Sequence, residues 1–287
     1  MYFGAHVSTA GGLHKAPERV SKIGGNCLQI FSTSPRGWKP AEVSEEQAEK
    51  FLRSRAELGV DPVYFHAAYL INLAGAPETQ DKSVRSLVAE LKTARQLEVK
   101  GSIIHLGSFL KDAKGREADR HKREFGEEYD TLLNNIRTIL HETPPETLFI
   151  IENMGMRKVG LTLEEIAFLV KELNDDRVRV CLDTCHLHAA GYDLAGSDKV
   201  KKFLDRFDQL IGLDRLEVWH LNDSRDEFGS LRDRHENLGE GQIPEAVFTS
   251  LLNSDRINDR PFLLETPGFD GGGPDQVNMD ILKSLVQ

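Results

Sequence analysis

The chain has 287 residues, 39% of them hydrophobic and 29% charged, with a formal net charge of -10. That balance fits a globular protein and argues against broad, non-specific coating of nucleic acid, while leaving room for a narrow footprint of local positive charge. No apolar run reaches membrane-spanning length, the start at Met1 lacks a basic-then-apolar leader, and the three cysteines (Cys27, Cys181, Cys185) are too few for a disulfide framework, so a cytoplasmic protein with buried thiols and no membrane contact is expected.

Short apolar runs recur along the chain at Tyr2–His6, Cys27–Phe31, Pro62–His66, Ser102–His105, Leu148–Glu152, Val178–Asp183, Leu216–His220 and Pro261–Glu265. Segments of helical periodicity with charged faces separate them: Leu13–Ile23, Ser44–Leu58, Lys82–Val99, Arg120–His141, Leu163–Leu173, Ser197–Ile211, Pro244–Leu252 and Gln276–Val286. Thr162 followed by Leu163-Glu164-Glu165 reads as an N-cap with acidic first-turn residues, and Pro244 suits a first helical position. Strand–helix alternation over this length predicts one (β/α)8 TIM barrel spanning residues 1–287, with an open doubly wound sheet as the other arrangement of the same pattern.

The strand ends carry the chemistry. His66, His105, Glu152, Asp183, His220 and Glu265 each close a predicted strand, and a parallel barrel gathers those ends around one mouth. Packing alone does not explain six such ends, because each polar group would carry a desolvation cost without return. The octamer Arg179–His186 concentrates the pattern: Cys181 and Asp183 share a strand face, and His186 follows in the next loop. Asp183 there reads either as a metal ligand or as the cap of the next helix. Asp233 and His235, two apart in an extended segment, can chelate one ion while Arg234 points away.

These nine candidates combine five imidazoles and four carboxylates without thiolate, a set that suits zinc and also manganese or iron. At about three protein ligands per open catalytic site they suggest three ions, with a shared carboxylate stretching the count. Three divalent ions against four carboxylates leave a net positive pocket, which calls for an anion such as phosphate. His6 and His188 read as ordinary hydrogen-bonded histidines, His14, His121 and His141 as surface residues, Trp38 as packing against the adjacent helix, and Arg157 and Lys158 as solvated charge.

Three stretches resemble the endonuclease IV family of apurinic/apyrimidinic endonucleases: His66 to Ala74, Cys181 to His186, and His220 to Arg225 continuing through Gly229-Ser230 to Asp233-Arg234-His235. The resemblance runs from Gly4-Ala5-His6-Val7-Ser8 to Glu265-Thr266-Pro267. It implies a TIM barrel with three zinc ions. His66 and His105 would hold the first, and Glu152 would bridge to a second completed by Asp183, His220 and Glu265. His186, Asp233 and His235 would hold the third. The implied reaction is hydrolysis of the phosphodiester 5′ to an abasic site in double-stranded DNA, leaving a 3′-hydroxyl and a 5′-deoxyribose phosphate, as a step of base excision repair. A hydroxide held between two ions would attack phosphorus, with Glu152 helping to orient it. Arg36, Tyr69 and Leu70 match the side chains that enter the duplex at the lesion in the family.

This sequence departs from the family pattern in three places. Met154-Gly155-Met156-Arg157-Lys158 replaces a small Gly- and Gln-containing run, Leu106 stands where Pro is usual, and Arg225 stands where Lys is usual. None removes a ligand. The competing reading is a metal-dependent sugar isomerase or epimerase using Glu152, Asp183, His220 and Glu265 alone; it has no use for His66, His105, Asp233 and His235. A non-catalytic binder of damaged DNA would have lost ligands, and none is missing. A monomer without an obligate protein partner is expected, since no exposed apolar helix face stands out.

Overall fold

The computed structural model describes residues 1–40, 42–109, 125, 126 and 128–287. Among them eight parallel strands close a barrel: β1 (Tyr2–His6), β2 (Cys27–Phe31), β3 (Val63–His66), β4 (Gly101–Ile104), β5 (Leu148–Glu152), β6 (Val178–Asp183), β7 (Leu216–His220) and β8 (Pro261–Leu264). The ring closes through β1 and β8, paired from Tyr2 with Pro261 to Ala5 with Leu264. The TIM barrel is therefore the fold, and the open sheet is excluded.

The strands are buried on both faces, as parallel sheets are. Their outward residues pack against the helices, while Cys27, Tyr64, Ile103, Ile150, Cys181, Val218 and Leu263 form a separate apolar plug inside the barrel. Two residues beyond each plug residue, on the same strand face, the chain places Gln29, His66, His105, Glu152, Asp183, His220 and Glu265 in turn. Each strand is thus apolar at mid-height and polar at its mouth.

The helices are α1 (Lys15–Lys22), α2 (Glu45–Leu58), α3 (Pro77–Gln96), α4 (Glu128–Glu142), α5 (Leu163–Leu173), α6 (Thr184–Ala190), α7 (Ser197–Leu210), α8 (Glu245–Leu252) and α9 (Gln276–Ser284). Ser44 and Gln47 form a reciprocal capping box at the start of α2, and Gly59, left-handed at φ 64°, ends it. Thr162 caps α5 by accepting from the Glu165 N–H at 3.2 Å, in agreement with the sequence. Helix α3 begins five residues earlier than Lys82, because Pro77 occupies a first-turn position where its missing N–H costs nothing. Pro244 sits one position before its helix rather than inside it. The expected helix from Arg120, and His121 with it, falls partly outside the described residues; within them α4 starts at Glu128. Trp38 packs against the main core, the three cysteines are buried free thiols, and His14 is half-buried just before α1 rather than on the surface. Among the described residues no helix is long and apolar enough to cross a membrane.

Helix α6 has no counterpart among the expected segments. It starts directly after β6, so His186 lies in its first turn and not in a loop.

The strand contacts leave no slack between β4 and β5. A Cβ added at Gly101 would lie 2.1 Å from the Leu148 carbonyl oxygen. Gly101→Ala is expected to destabilise the barrel by about 1–3 kcal/mol, the usual cost of overpacking, read as a lower urea midpoint at unchanged slope.

Candidate metal centre

Glu152 occupies the middle of the mouth and has no exposed surface. Its Oε2 lies 2.6 Å from His105 Nε2 and 3.3 Å from His66 Nε2; its Oε1 lies 3.0 Å from His220 Nδ1. One carboxylate therefore spans two sets of imidazoles. Against the effect of burial, His105 and His220 hold its carboxyl well below the usual carboxylate range.

Around Glu152 the ligand atoms fall into three adjoining groups. His66, His105 and Glu152 form one, and Glu152, Asp183, His220 and Glu265 form the next. In the third, Asp233 Oδ1 lies 3.1 Å from His186 Nε2 and 3.4 Å from His235 Nε2. Asp183 also stands within ligand distance of His186 and His235, so it adjoins the second and third groups together. Two thiols that the sequence leaves without a role border these groups: Cys181 beside Glu152 and His220, Cys185 beside Asp233 and His235. Burial pushes the Cys181 thiol up to about 12 and Cys185 higher still, which keeps both as thiols in the metal-free protein.

The backbone explains this convergence. Asp183 is the last residue of β6 and the N-cap of α6, where its Oδ1 accepts the His186 N–H at 3.0 Å. Its other oxygen, Oδ2, accepts from Asn222 Nδ2 at 2.6 Å and faces His235 Nε2 at 3.6 Å. The cap reading of this residue holds on Oδ1, while Oδ2 faces the neighbouring candidate ligands. Beyond β7 a two-stranded antiparallel ladder pairs Asp223–Ser224 with His235–Glu236 and folds the intervening excursion back over the mouth. Asp233 and His235 then point inward while Arg234 turns out to Asp226 at 2.8 Å. The Asp223 carboxylate fastens the base of this loop by accepting from the N–H groups of Gly241 and Ile243.

Hydrogen bonds on the far side of each ring aim it. His66 Nδ1 donates to the Ala67 carbonyl at 2.8 Å, and His186 Nδ1 donates to the Asn153 carbonyl at 2.8 Å. Each leaves a lone pair on Nε2 directed into the mouth, the usual second-sphere arrangement of a metal-ligating histidine. Asn153 Oδ1 also accepts the Asp183 N–H, and Asn222 Oδ1 the Glu265 N–H. Gln29, Asn153 and Asn222 are not among the residues singled out from the sequence; position 29 is detectable there as a polar residue two along from an inward Cys27. His6 is hydrogen-bonded to Gln29, and His188 donates to the Asp226 carbonyl.

The donor set fits metal ions. Buried His105 Nε2, Glu152 Oε2, His186 Nε2 and His235 Nε2 are crowded together but have no aligned hydrogen-bond partner among the described residues. Cations placed among these four atoms would satisfy them. The cavity above measures about 410 Å³ and is lined by His66, His105, His186, Asp233, His235 and Glu265 together with Phe31 and Tyr69. Tyr69 is 66% exposed at its rim, and its N–H donates to the Pro35 carbonyl, which brings the loop bearing exposed Arg36 beside Tyr69 and half-buried Leu70.

A family model described as a xylose isomerase-like TIM barrel matches residues 17–285. The chain is 37% identical over 287 residues to a probable endonuclease 4 of Halothermothrix orenii, covering 99% of each. Endonuclease IV from Thermus thermophilus has the same fold with a TM-score of 0.83 at 34% identity, over 99% of this chain and 98% of that one. A 3-keto-D-glucoside 4-epimerase from E. coli matches at a TM-score of 0.68 over 99% of this chain and 98% of that one, but at 14% identity, a likeness of fold alone.

The charge arrangement sets a pH dependence. Burial opposes protonation of His186 and His220, yet Asp183 and Asp233 around the first, and Cys181 and Glu265 around the second, raise both well above 6.5. A raised imidazole stabilises the fold fully below 6.5 and loses that contribution as pH rises through the raised value; lowered Glu152 and Glu265 contribute above 4.5 and lose it on acidification. The contribution of these four groups to metal-free stability should therefore be greatest between 4.5 and 6.5 and fall away at alkaline pH. Metal-loaded protein should not weaken, because the ions replace those protons. Thermal melts of chelated and reloaded protein across this range test it; a chelated protein that gains stability as pH climbs past neutrality contradicts the assignment.

Proposed function

The chain belongs to the endonuclease IV family, and on that premise we propose that it is a metal-dependent apurinic/apyrimidinic endonuclease of base excision repair, cutting the DNA backbone 5′ to an abasic site and leaving a 3′-hydroxyl and a 5′-deoxyribose phosphate. The observation that carries this reading is the set of three adjoining ligand groups, the first two joined by the buried Glu152 and the last two by Asp183, in which His105, Glu152, His186 and His235 each leave a ligand atom unpaired. A sugar isomerase on the same fold would be served by Glu152, Asp183, His220 and Glu265. The first and third groups, with His66, His105, His186, Asp233 and His235, have no work in that reaction.

Zinc is the ion we assign, one to each group, on the strength of nitrogen and oxygen donors in a closed setting; manganese or iron would meet the same donors at some positions. Divalent ions there would supply a nucleophile from water at neutral pH and would neutralise charge developing on phosphate. The protein's own groups do the rest. His66 and His186 are held in fixed tautomers by backbone carbonyls. Glu152, with an oxygen toward each of two groups, is placed to orient the attacking oxygen between them. Asp183 ties the second group to the third, so the groups are spaced by the β6–α6 junction and not by a flexible loop.

Tyr69 offers an exposed ring face at the cavity rim, held edge-on against Phe31 with centroids 5.3 Å apart. Beside it stand Leu70 and the Arg36 loop. These three would occupy the gap left by a missing base, where unstacking costs least. The net charge of -10 makes such local contacts, and the ions themselves, the source of attraction for the phosphate backbone.

The test is incision of a duplex carrying a tetrahydrofuran abasic analogue, which blocks the lyase route. Cutting 5′ to the analogue should require metal and fall by more than roughly 100-fold in His66→Ala or His235→Ala, since even second-sphere changes cost about 10- to 100-fold. A folded, fully metallated protein that leaves the analogue intact sinks the reading and turns attention to sugar substrates. Tyr69→Ala should weaken DNA binding by about 1–3 kcal/mol, the value of one stacked base, with the melting temperature unchanged because the ring is exposed. A variant that binds abasic duplex as tightly as the parent would remove Tyr69 from the lesion contact.

A further inference from the structure

Among the side chains at the mouth, one uncharged residue touches three of the others. Gln29 is completely buried on β2. Its Oε1 lies 2.7 Å from His220 Nε2, and its Nε2 lies 2.5 Å from Glu265 Oε1 and 2.9 Å from His6 Nδ1. Burying a primary amide costs free energy unless every polar atom is used, and an apolar side chain like those of the plug below would occupy the space at less cost.

With His220 as a ligand, its ring and the amide take one arrangement. His220 Nδ1 faces Glu152 Oε1 at 3.0 Å, Glu265 Oε2 at 3.3 Å and Asp183 Oδ2 at 3.8 Å. To serve as a ligand within that group, Nδ1 must present a lone pair, which puts the ring proton on Nε2. That proton points to Gln29 Oε1. The amide is then oriented with its NH₂ toward Glu265 and His6, so one hydrogen goes to the carboxylate. His6 Nδ1 lies within reach of both the amide nitrogen, at 2.9 Å, and Glu265 Oε1, at 3.3 Å. His6 lines the cavity and packs on Phe31 with centroids 4.3 Å apart.

We propose that Gln29 is a positioning residue for the second ion: a single amide holds the His220 ring with Nδ1 toward the other ligands and orients the Glu265 carboxylate. Two of the four ligand side chains in the group of Glu152, Asp183, His220 and Glu265 are thereby oriented before a metal arrives. The inference rests on the metal-centre reading above but not on the identity of the substrate.

The experiment measures metal binding directly. Protein reconstituted with zinc is dialysed, its zinc content determined, and its affinities obtained by competition with a chromophoric chelator, for the parent chain and for Gln29→Met, which keeps the volume and removes the amide. The variant is expected to hold one zinc roughly 10- to 100-fold more weakly, the usual effect of losing a second-sphere partner, with the other sites unchanged. Retention of every site at parental affinity overturns the proposal. Should Gln29→Met fail to fold, nitrogen-15 spectra of histidine in the zinc-loaded parent decide: His220 should be metallated on Nδ1 and protonated on Nε2, and metallation on Nε2 overturns it. A parent that binds zinc but does not cut abasic DNA, with a variant that loses zinc, would refute the nuclease reading and leave this one standing. A parent that cuts, with a variant of undiminished zinc affinity, would do the reverse.

Discussion

Glu152 sets the terms for the rest of the mouth. A carboxylate with no exposed surface costs several kcal/mol to ionise unless cations or donors surround it. Here its oxygens face ring nitrogens of His66, His105, His186 and His220. Those rings can meet it as imidazolium, or as neutral rings sharing a metal with it. The first choice would leave several positive rings packed together, since His66 and His105 have centroids 5.2 Å apart and His66 and His220 6.2 Å. The second lets His66, His186 and His220 direct a lone pair inward and a proton outward to a carbonyl or amide, as the bonds at Ala67, Asn153 and Gln29 do.

Much of this is legible in the sequence, for a physical reason. A strand buried on both faces reads as a continuous apolar run, and a polar residue that ends such a run is conspicuous. Runs such as Leu148–Glu152, Val178–Asp183 and Leu216–His220 therefore mark both the strands and the side chains at their ends, and the structure gives those bounds unchanged. The family resemblance supplies the grouping into three, which periodicity alone does not contain.

What stays hidden is of two kinds. Helix α6 lies against the strand with no turn residues between them, so nothing punctuates the junction; Asp183 marks it, but a carboxylate that caps a helix with one oxygen and faces the mouth with the other looks in sequence like either role alone. The amides are hidden because they carry no charge. Gln29 in Cys27-Leu28-Gln29-Ile30-Phe31 reads as an interruption of a strand, and only its contacts with His6, His220 and Glu265 show what it is for. Asn153 and Asn222 follow a ligand by one and two residues and read as part of a motif, not as the struts that hold Asp183 from both sides.

The plug of Cys27, Tyr64, Ile103, Ile150, Cys181, Val218 and Leu263 fills the barrel below the mouth. It separates two kinds of demand on one strand: folding is satisfied at mid-height, and chemistry two residues later. The side chains that face the mouth can therefore be replaced without disturbing the packing that closes the barrel, because a spacing of two residues keeps the two layers apart.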